Sequence, residues 1–285
     1  MNSNTIKLSD GRRMGYAEYG DPHGLPVLYC HGSPGSRWSV SDEMAQTSQA
    51  LNIRMIAPDR PGYGLSDPMP ERTLLDWSQD VSALINALGI KRFRVMGYSM
   101  GAPYALACAQ ALSERVAGVS VIGGLAPNIF STEVTAAMPP SINAIYVMAK
   151  NDPADFPGAL QSMIPDADTL FAAFAGMISE PDKMLMMRPD ITSSFKRDCA
   201  ETLAQGQAAI ATDFILAANS WGFDLETIHA HVHIWNGIED LNVPSAMAEY
   251  LAKKLPHNQI RLLPGEGHLC LFNHWKEILC TAKDS

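Results

Sequence analysis

Five consecutive residues, Gly97-Tyr98-Ser99-Met100-Gly101, have the types and spacing that a nucleophilic serine needs. An apolar run at 93–96 precedes them and an Ala-rich stretch at 102–112 follows, so the serine falls at a strand-to-helix turn. So sharp a turn forces the serine into a strained backbone, and the glycines two before and two after it lack the Cβ that would keep strand and helix apart. The hydroxyl is left at the tip, near the unpaired first N–H groups of the helix and the positive end of its dipole. Negative charge developing on a substrate would be stabilised there. An ordinary strand-to-helix turn would use the same residues, so the reading needs a base and an acid elsewhere in the chain.

A serine hydroxyl is a weak nucleophile at neutral pH; a base must take its proton and an acid must orient the base. Of the eight histidines, His23 lies in a turn, and His229, His231 and His233 alternate with apolar residues on or before a strand. His257 and His274 sit on or beside amphipathic helices. His268 differs: it ends the loop Pro264-Gly265-Glu266-Gly267-His268 after the last apolar strand, where a ring can reach back across the sheet edge. For the acid, Asp240 lies in the loop between Trp235 and Pro244, just before a helix. It could instead cap that helix, and Glu239 is the neighbouring competitor. The turn after 119–122, Gly123-Gly124-Leu125-Ala126, contains no carboxylate.

The elements that must position these groups follow from periodicity. Strands are expected at 5–9 and 13–19 around the turn Asp10-Gly11, then at 26–30, 54–57, 93–96, 119–122, 232–235 and 260–263. Leu74, Trp77, Val81, Leu84, Ile85 and Leu88 repeat every three or four residues, with Thr73 and Asp76 at the start and Gly89 at the end of a helix. Alternating strand and helix implies parallel pairing with helices on both faces. Between 127 and 228 short apolar strands vanish, and the stretch reads as helices broken by Pro139-Pro140, Pro153, Pro157, Pro165, Pro181 and Pro189. The division is an α/β core of 1–126 and 229–285 interrupted by a helical cap at 127–228.

Composition narrows the partners. With 285 residues, 47% of them hydrophobic, the chain can bury one large core. A net charge of −9 argues against nucleic acid, whose binding depends on basic residues. The five cysteines form no C-x-x-C pair, so reduced thiols and no metal site are expected. The first 13 residues lack the apolar core of a signal peptide and no run reaches bilayer-spanning length, so a soluble cytoplasmic protein without membrane partners is expected.

The order Ser99, Asp240, His268 is that of the α/β-hydrolase triad, and the sequence resembles that superfamily over nearly its whole length. It is closest to capped, esterase-like bacterial serine hydrolases at His31-Gly32-Ser33-Pro34-Gly35, Asp59-Arg60-Pro61-Gly62-Tyr63-Gly64, Gly97 to Gly101, Trp221-Gly222-Phe223-Asp224, Gly237 to Asp240 and Gly265 to His268. The resemblance implies an α/β-hydrolase fold: a mostly parallel eight-stranded sheet flanked by helices, with a helical cap insertion. It implies an oxyanion hole from the backbone N–H groups of Met100 and Ser33, since Pro34 has none. His31, Asp59 and Arg60 then read as loop scaffolding, with Gly62 and Gly64 allowing a tight path. Haloalkane dehalogenases and epoxide hydrolases of the superfamily use aspartate at the elbow; Ser99 implies an acyl-enzyme route instead, with no cofactor.

The expected activity is hydrolysis of carboxylic esters with small to medium apolar groups. Seven of nine phenylalanines and seven of fifteen methionines lie between 127 and 228, where they could line a substrate wall or simply form the insertion's own core. Lactone and carbon–carbon bond hydrolases share the mechanism. A proline iminopeptidase is the nearest rival, although that group usually has tryptophan after the serine and an acidic cluster in the cap. A ligand-sensing protein with a slow triad is the alternative from outside enzymology.

Overall fold

The run Leu25–Cys30 (β3) is apolar on both sides because both sides are covered. Val27 and Tyr29 pack with Met44 of helix α1 (Asp42–Ala50) and with Trp275, Ile278 and Leu279 of α12 (Cys270–Asp284). Leu28 and Cys30 point the other way, into a cluster with Trp77, Val81 and Leu84 of α2 (Asp76–Ala87) and Tyr104 of α3 (Gly101–Ala111). The period-2 alternation of strand side chains thus builds two cores, one per face. The computed structural model describes residues 3–284.

Around β3 lie β1 (Ser3–Lys7), β2 (Arg13–Gly20), β4 (Ile53–Pro58), β5 (Phe93–Tyr98), β6 (Val116–Ile122), β7 (Val232–Gly237) and β8 (Asn258–Leu263). The eight strands run in the order β1-β2-β4-β3-β5-β6-β7-β8, antiparallel across β1/β2 and β2/β4 and parallel thereafter. The parallel register brings Cys30 opposite Gly97, Tyr98 opposite Ile122, Ile122 opposite Trp235 and Gly237 opposite Leu263. Strands β3, β5, β6, β7 and β8 therefore end along one edge, and the loops that leave them converge.

Local expectations hold with instructive shifts. Thr73 and Asp76 cap each other's backbone N–H groups at 2.8 and 3.3 Å, and Gly89 ends the helix at φ +68°. The first strand starts and stops two residues earlier than expected, because the turn into β2 spans residues 8–12, closed by Leu8 N–H on the Arg12 carbonyl at 2.8 Å. Helix α1 has no counterpart in the sequence reading: only Met44 and Ser48 of its nine residues are buried, too few to show a period.

Seven helices connect β6 to β7: α4 (Thr132–Ala137), α5 (Pro140–Asn151), α6 (Phe156–Met163), α7 (Ala167–Gly176), α8 (Glu180–Met186), α9 (Pro189–Thr202) and α10 (Ala208–Ala218). Pro153 and Pro165 lie in the connections between helices, as expected, whereas four other prolines open helices. Pro140, Pro157, Pro181 and Pro189 occupy first or second positions, where the missing N–H has no helical partner to lose. Beyond them, α11 (Ser245–Lys254) packs on β7 and β8. No described helix is long and apolar enough to cross a membrane.

Candidate active site

Ser99 stands between β5 and α3 with φ +53°, the left-handed region that a residue with a Cβ rarely enters. Its N–H is tied to the Ile122 carbonyl at 2.9 Å. Both flanking glycines are sterically required: a Cβ at Gly97 would lie 2.6 Å from the Gly101 carbonyl oxygen, and one at Gly101 would strike the carbonyl of Cys30. The strand-turn-helix geometry thus depends on the two positions singled out by spacing.

The structure brings Ser99, His268 and Asp240 together from three loops along the same sheet edge. His268 Nε2 lies 2.9 Å from Ser99 Oγ, and Nδ1 lies 2.8 Å from Asp240 Oδ2. With Nδ1–H donating to the carboxylate, Nε2 is free to accept the serine proton. Asp240 also serves the local turn: its Oδ1 accepts the N–H groups of Asn242 at 2.9 Å and Val243 at 2.8 Å. It does not cap α11, whose N-cap is Pro244 with no side-chain cap hydrogen bond; the turn that Asp240 closes lies ahead of that helix. Glu239 is exposed, with only its backbone N–H joined to the Glu266 carbonyl at 3.0 Å.

Both members of the acid–base pair are buried. Burial works against a charged His268, but the charge and hydrogen bond of Asp240 outweigh it and hold the imidazole above its ordinary pKa. Burial pushes Asp240 up, and His268 pulls it back part of the way.

The loop after β3 brings Ser33 and Pro34 to the cavity that Ser99 lines. Among the described residues neither the Ser33 N–H nor the Met100 N–H has a hydrogen-bond acceptor. His31 Nδ1 donates to the Gly32 carbonyl at 2.8 Å and Nε2 accepts the Arg60 N–H at 3.2 Å, so the ring braces the loop as a neutral tautomer. Burial and the adjacent Arg60 charge keep its pKa well below the usual value. Arg60 donates to the carbonyls of both His31 and Gly32. Asp59 accepts from the Arg37 N–H at 2.7 Å, the Arg37 guanidinium at 2.8 Å and the Leu65 N–H at 3.0 Å.

A cavity opens at Ser99 and His268, between the sheet edge and the inserted helices. Pro34, Asn242 and Val243 form its core side. Ile142, Ile145 and Tyr146 of α5, Leu160 of α6, Leu170, Ala173 and Phe174 of α7, and Ile210 and Phe214 of α10 form its roof. Among the described residues no carboxylate lines it. Nor is any group of three His, Cys, Asp or Glu side chains placed to hold a metal ion.

Sequence reasoning missed three buried carboxylates of the inserted helices. Asp213 of α10 takes Arg60, Arg72, Tyr63 and Tyr104; Asp198 of α9 takes the hydroxyls of Ser36 and Ser39; Asp182 of α8 reaches the loop of His268. Only Asp213 carried a signal, as the lone charged residue in the segment AAIATDFILAA.

With the geometry established, known proteins provide context. The profile of the alpha/beta hydrolase family matches residues 27–279. A proline iminopeptidase of Xylella fastidiosa is 37% identical over 111 residues, which are 38% of this chain and 35% of that protein, so the match spans about a third of the relative's length. Among solved structures, a hydrolase from Pseudomonas aeruginosa PA01 superposes with a TM-score of 0.76 at 17% identity, covering 100% of this chain and 99% of the other. An esterase from Rhodococcus sp. ECU1013 gives 0.72 at 20% identity, covering 100% and 99%. These two likenesses speak for the fold.

Proposed function

This chain belongs to the alpha/beta hydrolase family, and from that premise we propose that it is a serine hydrolase of carboxylic esters with apolar acyl or alcohol groups. The observation that carries the proposal is a serine–histidine–aspartate relay opening into an apolar, carboxylate-free cavity.

In this reading Ser99 Oγ attacks the ester carbonyl while His268 Nε2 takes its proton. Asp240 holds the ring and supports the imidazolium. The carbonyl oxygen, now an anion, turns toward the N–H groups of Ser33 and Met100; one such donor is worth about 3 kcal/mol of transition-state stabilisation. His268 returns the proton to the departing alcohol, and water activated by the same imidazole releases the acid. The inserted helices act as a cap whose apolar side chains take up the acyl chain and exclude water.

Similarity to proline iminopeptidases supports a second reading, cleavage of an amino-terminal residue. A substrate with a free ammonium needs a counter-charge in the cavity, and the buried acids of the inserted helices are turned instead toward Arg60, Arg72, serine hydroxyls and backbone N–H groups. The deciding experiment is steady-state hydrolysis of p-nitrophenyl esters of increasing acyl length beside prolyl-p-nitroanilide. Ester turnover exceeding anilide turnover, and lost in Ser99→Ala, is expected. Faster anilide turnover would replace the esterase reading with the peptidase one; tight ester binding with negligible turnover would replace it with a sensor.

A further inference from the structure

The loop that carries His268 is gripped from the side of the inserted helices. Asp182, fully buried on α8, accepts the His268 N–H on Oδ2 at 2.9 Å and the Leu269 N–H on Oδ1 at 2.7 Å. A carboxylate bridging two successive N–H groups fixes the peptide plane between them, and with it the direction in which the His268 side chain leaves the backbone. Ser179, which precedes α8, donates its hydroxyl to Oδ2 at 2.7 Å. Gly267 makes the approach possible, since a Cβ there would collide with both Ser179 Oγ and Asp182 Oδ2.

Apolar packing meets at the same point. Leu269 is buried against Phe174, Ile178, Leu185 and Ile191, and Phe174 in turn lines the cavity with its ring centroid 6.5 Å from that of His268. The groups against the imidazole are Asp240 from the loop after β7, and Tyr98 and Ser99 from the end of β5, while Asp182 from α8 bonds the backbone N–H of the same residue. The charges of both acids favour the imidazolium.

We infer that Asp182 is a positioning residue for the base: the inserted helices supply a carboxylate that aims His268 and adds a second negative charge behind the imidazolium formed when Ser99 gives up its proton. This rests on His268 acting as base. One wall of the cavity and the alignment of the base then share a support, so displacing α7 and α8 would disarm the site as well as open it.

The test compares wild type, Asp182→Asn, Ser179→Ala and Ser99→Ala as full-length chains. p-Nitrophenyl butyrate turnover is followed along the acidic limb of the pH–rate profile, with active sites counted by fluorophosphonate titration. In Asp182→Asn an amide NH2 group faces the His268 N–H. kcat per titrated site should fall about 10- to 100-fold with KM little changed, and the limb should move to lower pH because one charge supporting the imidazolium is gone. Ser179→Ala removes a donor that partly neutralises Asp182, so its limb should move to higher pH.

An unmoved limb, with the loss confined to the number of titratable sites, would reduce Asp182 to a structural anchor and overturn the inference. If Asp182→Asn yields no folded protein, Ser179→Ala decides: an upward shift supports the inference and an unmoved limb overturns it. Full turnover in Ser99→Ala is a different outcome, for it refutes the hydrolase reading itself.

Discussion

Replacing Asp213 with asparagine should destabilise this protein more than any comparable change at its surface. The carboxylate is fully buried and accepts five hydrogen bonds: from Arg60 Nε at 3.0 Å and Nη2 at 2.7 Å, from Arg72 Nη2 at 2.7 Å, from Tyr63 at 2.7 Å and from Tyr104. It is the counter-charge for two guanidinium groups that are themselves buried. An amide of the same shape would remove that charge and turn N–H groups toward donors. With the amide nitrogen at the Oδ1 position, Arg72, whose Nε already lacks a partner, loses that acceptor and retains a 3.4 Å bond to the Ala209 carbonyl. Removing one member of a buried ion pair costs about 3–5 kcal/mol, a large share of the roughly 5–15 kcal/mol that holds a domain folded.

Proton linkage sets a lower figure for the same site. Burial raises the Asp213 pKa, but Arg60 and Arg72 overcome it and bring it from 3.8 to about 2. That depression contributes about 2 kcal/mol. The stabilisation is fully present above the ordinary carboxylate pKa and is lost as pH falls from there through about 2. The asparagine figure is larger because both oxygens of a protonated aspartate can still accept a hydrogen bond, whereas the amide nitrogen accepts none and sets two N–H groups against donors. Urea unfolding at neutral pH, followed by tryptophan fluorescence, measures the difference through the midpoint at constant slope. A loss below about 1 kcal/mol, the range of an exposed ion pair, would show that the cluster is not the desolvated network described here.

Ser99→Gly should be inactive yet more stable than Ser99→Ala by about 1 kcal/mol, because glycine adopts φ +53° without the left-handed penalty; equal unfolding midpoints would refute backbone strain at the elbow. Asp240→Asn should lower kcat by about 10⁴-fold, since the amide favours the wrong imidazole tautomer, while Glu239→Gln should leave kcat within about twofold. Exchange of those two outcomes in the ester assay would reassign the acid.

Much of this molecule was legible along the chain because the features concerned are local. The glycines around Ser99 report a turn whose clashes involve atoms a few residues away, together with the Cys30 carbonyl they face. Apolar runs such as 26–30, and 93–96 with Arg94 as its one polar residue, report strands covered on both faces, because a strand has only two faces to cover. His268 and Asp240 stood out among competing histidines and acids because each follows a strand that must end at the same edge.

What the chain order could not express is which polar side chains leave solvent. Asp182, Asp198 and Asp213 look like surface acids of mixed helices until tertiary packing brings α8, α9 and α10 over the sheet edge. Their partners lie 86 residues away at His268, 162 at Ser36 and 153 at Arg60, beyond the reach of any periodicity. Helix α1 was hidden for the converse reason, since two buried residues in nine make no pattern. Local sterics and apolar periodicity wrote the sheet and the elbow into the sequence; the roof over the site, and the charges pinning it down, exist only once distant segments share one low-dielectric interior.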